Sequence, residues 1–351
     1  MMSDLLISSP GPCMDYIPTV HDLKDIFPDS SSLTVAGLMQ KVWIVCDNFA
    51  IGWAGRAIEA HLVIAKISER LEGRRVSCEE VCETLNQAVA TANVRDCCFL
   101  GYLVDSTNTP AVCVYPAASR CQDIDLGEVF AIGSGARMLL AFLRQPTRWQ
   151  FGTDQNNFIY CLSGMLTSWD LNGATSLLNY FGGGYEVTLY RKGKFRKLWD
   201  FSHIMWRCFL SSGAKLSLAP FHFTTHDYLD DILIMRSLQC PTDDASRELS
   251  WRTNFAVPPH RSFLKSDREK VMQHLASMGS WHSGFVSDFR FHTTAIVAED
   301  GGIIGTHTLM DSSGHFEIAV TPSGVEVSDE LQARIESEIR ESCPAIKDQP
   351  K

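Results

Sequence analysis

A glycine-bearing stretch from Cys46 to Gly55 contains the first residues that could do chemistry. Alternating apolar residues before Asp47-Asn48 and the run Phe49-Ala50-Ile51 predict two strands joined by a hairpin turn. Apolar residues at helical spacing follow over residues 56–71. Gly52 is therefore predicted at a strand end, where a glycine lets another molecule approach the backbone closely. The alternative is an ordinary tight connection between a strand and a helix.

Three further polar residues are candidates for such a site. Ser134 lies in Gly133-Ser134-Gly135, between an apolar strand-like run and a predicted helix, where it suits an N-cap; a part in catalysis is compatible with that role. Taken alone, Lys41 is typical of a solvated lysine on an alternating strand, and Asp4 of an acid beside a turn.

Histidine and cysteine side chains are common ligands of metal ions. His222 and His226 are four residues apart and have acidic neighbours, but Phe223 stands where an HExxH motif needs glutamate, which favours a structural role. The 12 cysteines contain no CxxC pair, which indicates free thiols in a reducing compartment. We therefore expect no metal and no cofactor.

Composition excludes several function classes. The chain of 351 residues is 45% hydrophobic, enough for a sizeable core, and its net charge of −10 argues against nucleic acid or an anionic membrane as the main partner. Apolar runs stay below the roughly 18 to 20 residues that span a bilayer. The start lacks the basic region of a signal peptide, so a cytoplasmic location is expected.

The order of predicted elements favours an α+β layered domain over a doubly wound sheet. Strands, two helices, strands, two helices and strands follow one another along residues 1–200. The predicted elements include an opening strand over residues 1–7, strands over 97–104, 111–115 and 185–190, a helix capped by Ser77, and helices over 136–143 and 169–180.

From about residue 200 the sequence changes character. Nine of the 11 histidines lie between His203 and His315, and the segment 240–261 is polar and contains prolines. Two hairpins, over residues 294–309 and 315–327, are predicted before an amphipathic helix over 329–342. Residues 201–351 are therefore interpreted as an accessory region of unknown role.

The order and separation of the motifs in residues 1–198 resemble a proteasome β-type subunit and the related bacterial ATP-dependent peptidase, both N-terminal nucleophile hydrolases. The resemblance is carried by five stretches: Met2-Ser3-Asp4 with Leu5-Leu6-Ile7, Gln40-Lys41-Val42, Ile51-Gly52-Trp53-Ala54-Gly55, Ile132-Gly133-Ser134-Gly135-Ala136, and Gly182-Gly183. It implies a four-layer αββα sandwich, a cofactor-free threonine-type peptidase or amidohydrolase, and a homo-oligomer.

The same resemblance implies roles for individual residues. In that family the side chain of the first mature residue is the nucleophile, its own amine takes the proton, and a lysine held by an aspartate lowers the pKa of the nucleophile. Lys41 matches that lysine and Asp4 that aspartate. The Gly52 N–H matches the oxyanion donor, and Ser134 the serine that supports the amine. Asn179 lies near the position of a second aspartate.

The chain departs from the family where the nucleophile is expected. The family's nucleophile strand should precede Asp4 by about a dozen residues, and Met1 offers neither hydroxyl nor thiol. One interpretation is a start further upstream, with Thr, Ser or Cys as the mature first residue. Another is a non-catalytic structural or interaction subunit on the same fold. A third is an unrelated α+β binding protein whose glycine motifs are ordinary turns.

Overall fold

The computed structural model describes most of the first two hundred residues and a smaller part of the remainder. The described residues are 1–11, 17, 23–27, 32–123, 127–144, 175–198, 201–210, 216–239, 250–259, 261, 264–277, 289–297, 303–311, 318–321 and 324–342. The predicted helix over 169–180 lies partly outside them. Its described part is a single turn.

The first two hundred residues combine short antiparallel sheets with helices. The strands are β1 (Met2–Asp4), β2 (Leu6–Ser9), β3 (Thr34–Leu38), β4 (Val42–Cys46), β5 (Phe49–Gly55), β6 (Cys97–Val104), β7 (Pro110–Tyr115), β8 (Ser119–Asp123), β9 (Gly127–Ala131), β10 (Tyr185–Arg191) and β11 (Lys194–Lys197). The helices are α1 (Leu23–Ile26), α2 (Ala57–Leu71), α3 (Cys78–Ala92), α4 (Ala136–Leu143) and α5 (Thr175–Leu178). The mixed α and β composition predicted from the sequence is confirmed.

Two antiparallel sheets matter most for the candidate site. One has the strand order β4-β5-β6-β7 and the other β1-β10-β11. The predicted opening strand is interrupted at Leu5, which separates β1 from β2, because β1 pairs with β10 whereas β2 pairs with β3. The predicted end of β5 at Gly52 is wrong, since β5 runs on to Gly55 while paired with β6.

Hydrophobic clusters pack against both faces of the four-stranded sheet. On one face, Phe49, Phe99 and their neighbours are buried under α2 and α3. On the other, Ala50 and Val104 pack with Phe195 of β11. A third cluster joins α4 and the β8–β9 hairpin to Tyr185 of β10. The apolar alternation of the strands thus places side chains on both faces, as burial on two sides requires.

Helix α3 begins where the sequence predicted. The Ser77 hydroxyl accepts a hydrogen bond from the Glu80 amide, and the Glu80 carboxylate accepts one from the Ser77 amide. This capping box satisfies two backbone donors that the first turn would otherwise leave unpaired. The start of α3 is therefore fixed by its own sequence.

Asn48, in the predicted turn between β4 and β5, is a buried structural hub. Its amide nitrogen donates to the carbonyls of Val76 and Val104, both at 2.9 Å, and its side-chain oxygen accepts from the Val76 amide at 3.1 Å. The side chain has 0% exposure. One residue thus ties the hairpin to β6 and to the segment before α3.

We expect Asn48→Ala to lower the free energy of unfolding by about 3 kcal/mol, because it leaves buried backbone groups without these partners. Urea unfolding followed by circular dichroism measures the effect. The control is Asn86→Ala at an exposed position of α3, expected within about 0.5 kcal/mol of the wild type. A similar small change for Asn48→Ala would contradict the assigned role.

The remaining described residues are dominated by a six-stranded sheet. The elements are β12 (Phe201–Leu210), β13 (Leu216–Leu229), β14 (Ile232–Gln239), β15 (Ser250–Val257), β16 (Phe289–Val297), β17 (Ile303–Asp311), β18 (Ile318–Thr321), β19 (Gly324–Val327), α6 (Lys265–Ser277) and α7 (Asp329–Ser342). The large sheet has the order β15-β14-β13-β12-β16-β17, and only its β12–β16 pair is parallel. The two predicted late hairpins and the last helix are confirmed.

The accessory region contacts the first part of the chain beside Lys41. The Gln40 side chain donates to the carbonyls of Asp231 and Val257, and Leu5 packs on Leu233 and Met235. All six strands of the large sheet lie after the predicted boundary near residue 200. None of the described helices is both long and apolar enough to cross a membrane.

Candidate functional site

The candidate site is a cavity of about 840 Å³ beside the edge strand β1. Its lining includes Met1, Ser3, Asp4, Lys41, Gly52 and Ser134. Four of the five residues predicted for the site therefore line one cavity. They come from β1, from the segment before β4, from β5 and from the turn before α4, which are distant in sequence.

Lys41 and Asp4 form the central ion pair. The Lys41 ammonium lies 2.7 Å from Asp4 Oδ1, and the lysine side chain is 10% exposed. The same carboxylate oxygen accepts a hydrogen bond from the Leu6 amide at 3.1 Å. A lysine held this way presents a fixed positive charge at the cavity wall. The predicted approach of the two groups is thus present.

A glycine turn positions Asp4 from the other side. The Leu5 and Leu6 amides donate to the Gly182 carbonyl, and the Gly182 amide lies 3.4 Å from Asp4 Oδ1. Gly183 has φ +71°, and a Cβ there would lie 2.7 Å from the Leu38 side chain. Only glycine suits this position, since other residues are strained at positive φ and would also clash. The turn therefore fixes where β1 ends.

Gly52 lies at the end of the pairing between β4 and β5. It is opposite Val42 in the register, and the next residue, Trp53, donates its amide to the Lys41 carbonyl at 3.2 Å. Gly52 is thereby placed next to Lys41. A Cβ on Gly52 would lie 3.3 Å from the Met1 methyl group, so the Met1 side chain rests against it.

Ser134 is exposed and does not cap α4, whose N-cap is Gly135. Its hydroxyl donates instead to the Tyr180 carbonyl at 3.0 Å. The N-cap interpretation is therefore wrong, because the turn directs the hydroxyl towards residue 180. Asn179 is exposed in the turn after α5 and is absent from the cavity lining, so the structure does not bring it together with the other four.

Glu186 is the residue that the sequence interpretation missed. Its buried carboxylate accepts hydrogen bonds from the backbone amides of Lys41 and of Val42, the latter at 2.7 Å. Its other oxygen forms an ion pair with Lys197, whose ammonium also donates to the Val42 carbonyl at 2.6 Å. Glu186 and Lys197 thus hold the peptide of Lys41 in place. Glu186 is a single acid in a strand of mixed composition, and no sequence motif around it predicts these contacts.

The histidine pair considered for a metal site lies on β13. Because a strand advances about 3.3 Å per residue, His222 and His226 are about 13 Å apart along it and cannot share an ion. His222 instead bonds with the hydroxyls of Thr224 and Ser237. The structural interpretation of this pair fits that geometry.

Burial lowers the pKa of His226 from 6.5 to about 3. The unfolded histidine therefore binds a proton at pH values where the folded one does not, and stability falls as pH falls from 6.5 towards 3. Between about pH 7.5 and about pH 5 the expected loss is on the order of 2 kcal/mol. Urea unfolding at the two pH values should show a smaller loss for His226→Phe than for the wild type, whereas exposed His61→Phe should match the wild type. Equal losses in all three proteins would contradict the shift.

Comparison of the chain with known protein families finds no matching family, and comparison with the curated proteins finds no similar protein.

Proposed function

We propose that residues 1–198 form an N-terminal nucleophile hydrolase domain of the proteasome β-subunit type, which hydrolyses peptide or other amide bonds. In this proposal the sheets β4-β5-β6-β7 and β1-β10-β11 are the two inner layers of an αββα sandwich. Helices α2 and α3 form one outer layer, and α4 belongs to the other. The clusters on both faces of the four-stranded sheet support this arrangement.

The proposed reaction needs no cofactor. A Thr, Ser or Cys at a processed N-terminus attacks the substrate carbonyl carbon, and its own α-amine takes the proton and passes it to the leaving amine. The Lys41 charge favours the ionised nucleophile, and the resemblance assigns stabilisation of the oxyanion to the Gly52 N–H. Water then hydrolyses the acyl-enzyme and restores the nucleophile. Ser134 would support the amine.

The observation that carries the proposal is the meeting of Lys41 and Asp4 in a cavity shared with Gly52 and Ser134. Asp4 and Lys41 are 37 residues apart, and Ser134 is distant from both. The resemblance to the proteasome β-type family assigns a role to each of the four from the sequence. An incidental surface ion pair would not bring Gly52 and Ser134 to the same cavity.

Fluorogenic peptide amides test the proposal on protein purified from its own cells. We expect cofactor-independent hydrolysis that persists with chelators present, from a protein that is a homo-oligomer in solution. A folded protein that hydrolyses none of a broad panel of such amides would overturn the enzymatic proposal.

A non-catalytic structural or interaction subunit on the same fold is the second candidate. The contact between the Met1 side chain and Gly52 favours it, because that side chain occupies part of the cavity in which a substrate would lie. This candidate predicts a folded protein that assembles with itself or with a partner chain and hydrolyses no amide.

A further inference from the structure

Three cysteines meet where helix α3 packs on strand β7. Cys78 and Cys82 come from the first turns of α3, and Cys113 lies in β7. Their sulfur atoms all lie within 4.8 Å of one another, and those of Cys82 and Cys113 are 2.8 Å apart. In the part of the chain that the structure describes, they form the one cluster of three such potential ligands.

The chain builds this cluster from fixed elements. Residues four apart on a helix lie on the same face, so Cys78 and Cys82 are neighbours once the first turn of α3 forms. The Ser77–Glu80 capping box holds that turn, and Arg74 forms an ion pair with Glu80 at 2.7 Å. Cys113 is buried on the sheet face that α3 covers, so its sulfur lies beside those of Cys78 and Cys82.

We propose that Cys78, Cys82 and Cys113 form a thiolate site for a soft d¹⁰ cation such as Zn²⁺, with the fourth position open to water or to an outside ligand. Zinc takes thiolate sulfur at about 2.3 Å, so two thiolates on one tetrahedral ion are about 3.8 Å apart. The Cys82 and Cys113 sulfurs, at 2.8 Å, are closer than this value, and all three sulfurs lie within 4.8 Å of one another. Small rotations of Cys82 and Cys113 would open their contact enough to admit the ion.

The number of sulfurs favours a metal over a disulfide. A disulfide between Cys82 and Cys113 would use two sulfurs and leave the third beside it without a role. A bound divalent cation would use all three sulfurs as thiolate ligands.

Such an ion would join α3 to the sheet on the face opposite the packing of β11. Cys78 is exposed, which gives the ion a path from solvent. The site is independent of the proposed amide hydrolysis, because none of its three residues lines the cavity around Lys41. The third ligand, Cys113, lies 31 residues beyond Cys82 on a different element, so the cluster is not visible as one local motif in the sequence.

Cobalt titration of the metal-free, reduced protein tests the proposal. We expect one Co²⁺ per chain with a thiolate-to-cobalt charge-transfer band, which Zn²⁺ then displaces. Cys78→Ser, at an exposed position that the fold tolerates, should weaken Co²⁺ binding by more than about 100-fold. Cys121→Ser, on β8 outside the cluster, should bind like the wild type.

Three outcomes would overturn the proposal. The first is a reduced protein with native circular dichroism that shows no charge-transfer band with Co²⁺. The second is a Cys78→Ser variant that binds Co²⁺ as tightly as the wild type. The third is a Cys82–Cys113 disulfide in peptide maps of the purified protein, together with no metal binding after reduction. In that case the cluster is a redox pair and not a metal site.

Discussion

In the proposed hydrolase, Lys41→Met should lower the rate of amide hydrolysis by about 10³-fold, within the range that a positioned proton-transfer or activating group supplies. The substitution keeps the length of the buried stem and removes the charge that lies 2.7 Å from Asp4. Without that charge, the nucleophile loses the electrostatic stabilisation of its ionised form. The measurement is kcat/KM for a fluorogenic peptide amide.

Two further variants separate the effect of the Lys41 charge on the rate from the effects of its neighbours. Asp4→Asn keeps an acceptor for the Leu6 amide but removes the partner of Lys41, so an intermediate loss of rate is expected. Lys265→Met, at an exposed position of α6, should leave the rate unchanged. A Lys41→Met protein with native circular dichroism and the wild-type rate would remove Lys41 from the mechanism.

Glu186→Ala should lower the free energy of unfolding by about 3 to 5 kcal/mol, because it leaves the Lys197 ammonium partly buried without its carboxylate. It also removes the acceptor of the Lys41 and Val42 amides. Glu186→Gln keeps an oxygen for those amides and should cost less. Urea unfolding monitored by tryptophan fluorescence gives both values.

A double-mutant cycle isolates the ion pair from the amide contacts. Glu186→Gln combined with Lys197→Met should cost less than the sum of the two single changes, since no unpaired charge remains buried. The surface pair Arg120–Glu128 supplies the control, and Glu128→Gln should change stability by less than about 1 kcal/mol. Additive losses at Glu186 and Lys197 would show that the two do not act as a pair.

Local patterns predicted most of the elements in the first two hundred residues. The β6 strand, the α4 helix and the N-cap at Ser77 all depend on residues close together in sequence, and the prediction located each of them. The sequence predicts that β5 ends at Gly52, three residues before its observed end, because glycine is uncommon inside strands. In fact, Gly55 closes β5, and no side chain is tolerated there: an added Cβ would lie 2.0 Å from the Asp96 carbonyl oxygen.

The candidate site was predictable only through the resemblance. Neither Lys41 nor Asp4 has a local pattern that distinguishes it from a surface residue, and the motif order alone brought them together. Glu186 was missed because its partners are the backbone of β4 and a lysine of β11, and backbone partners leave no pattern in sequence. Cys113 was missed because it is 31 residues from Cys82 and lies on a different element.

The pairing of the large sheet was beyond prediction for a related reason. Its antiparallel neighbours follow one another along the chain, as hairpins do. The parallel pairing of β12 with β16 joins residues more than eighty positions apart, such as Phe201 with Phe289. Such a pairing depends on the tertiary fold and not on a turn.

Mass spectrometry of an adduct at the N-terminus tests the proposed hydrolase most directly. A peptide α′,β′-epoxyketone reacts with both the side chain and the free α-amine of an N-terminal nucleophile, so it distinguishes that residue from internal serines and cysteines. For protein purified from its own cells, we predict one adduct per chain, mapped to a mature N-terminal Thr, Ser or Cys and lost in Lys41→Met. A folded protein with no adduct, or with an adduct that maps only to internal residues and persists in Lys41→Met, would contradict the proposed function.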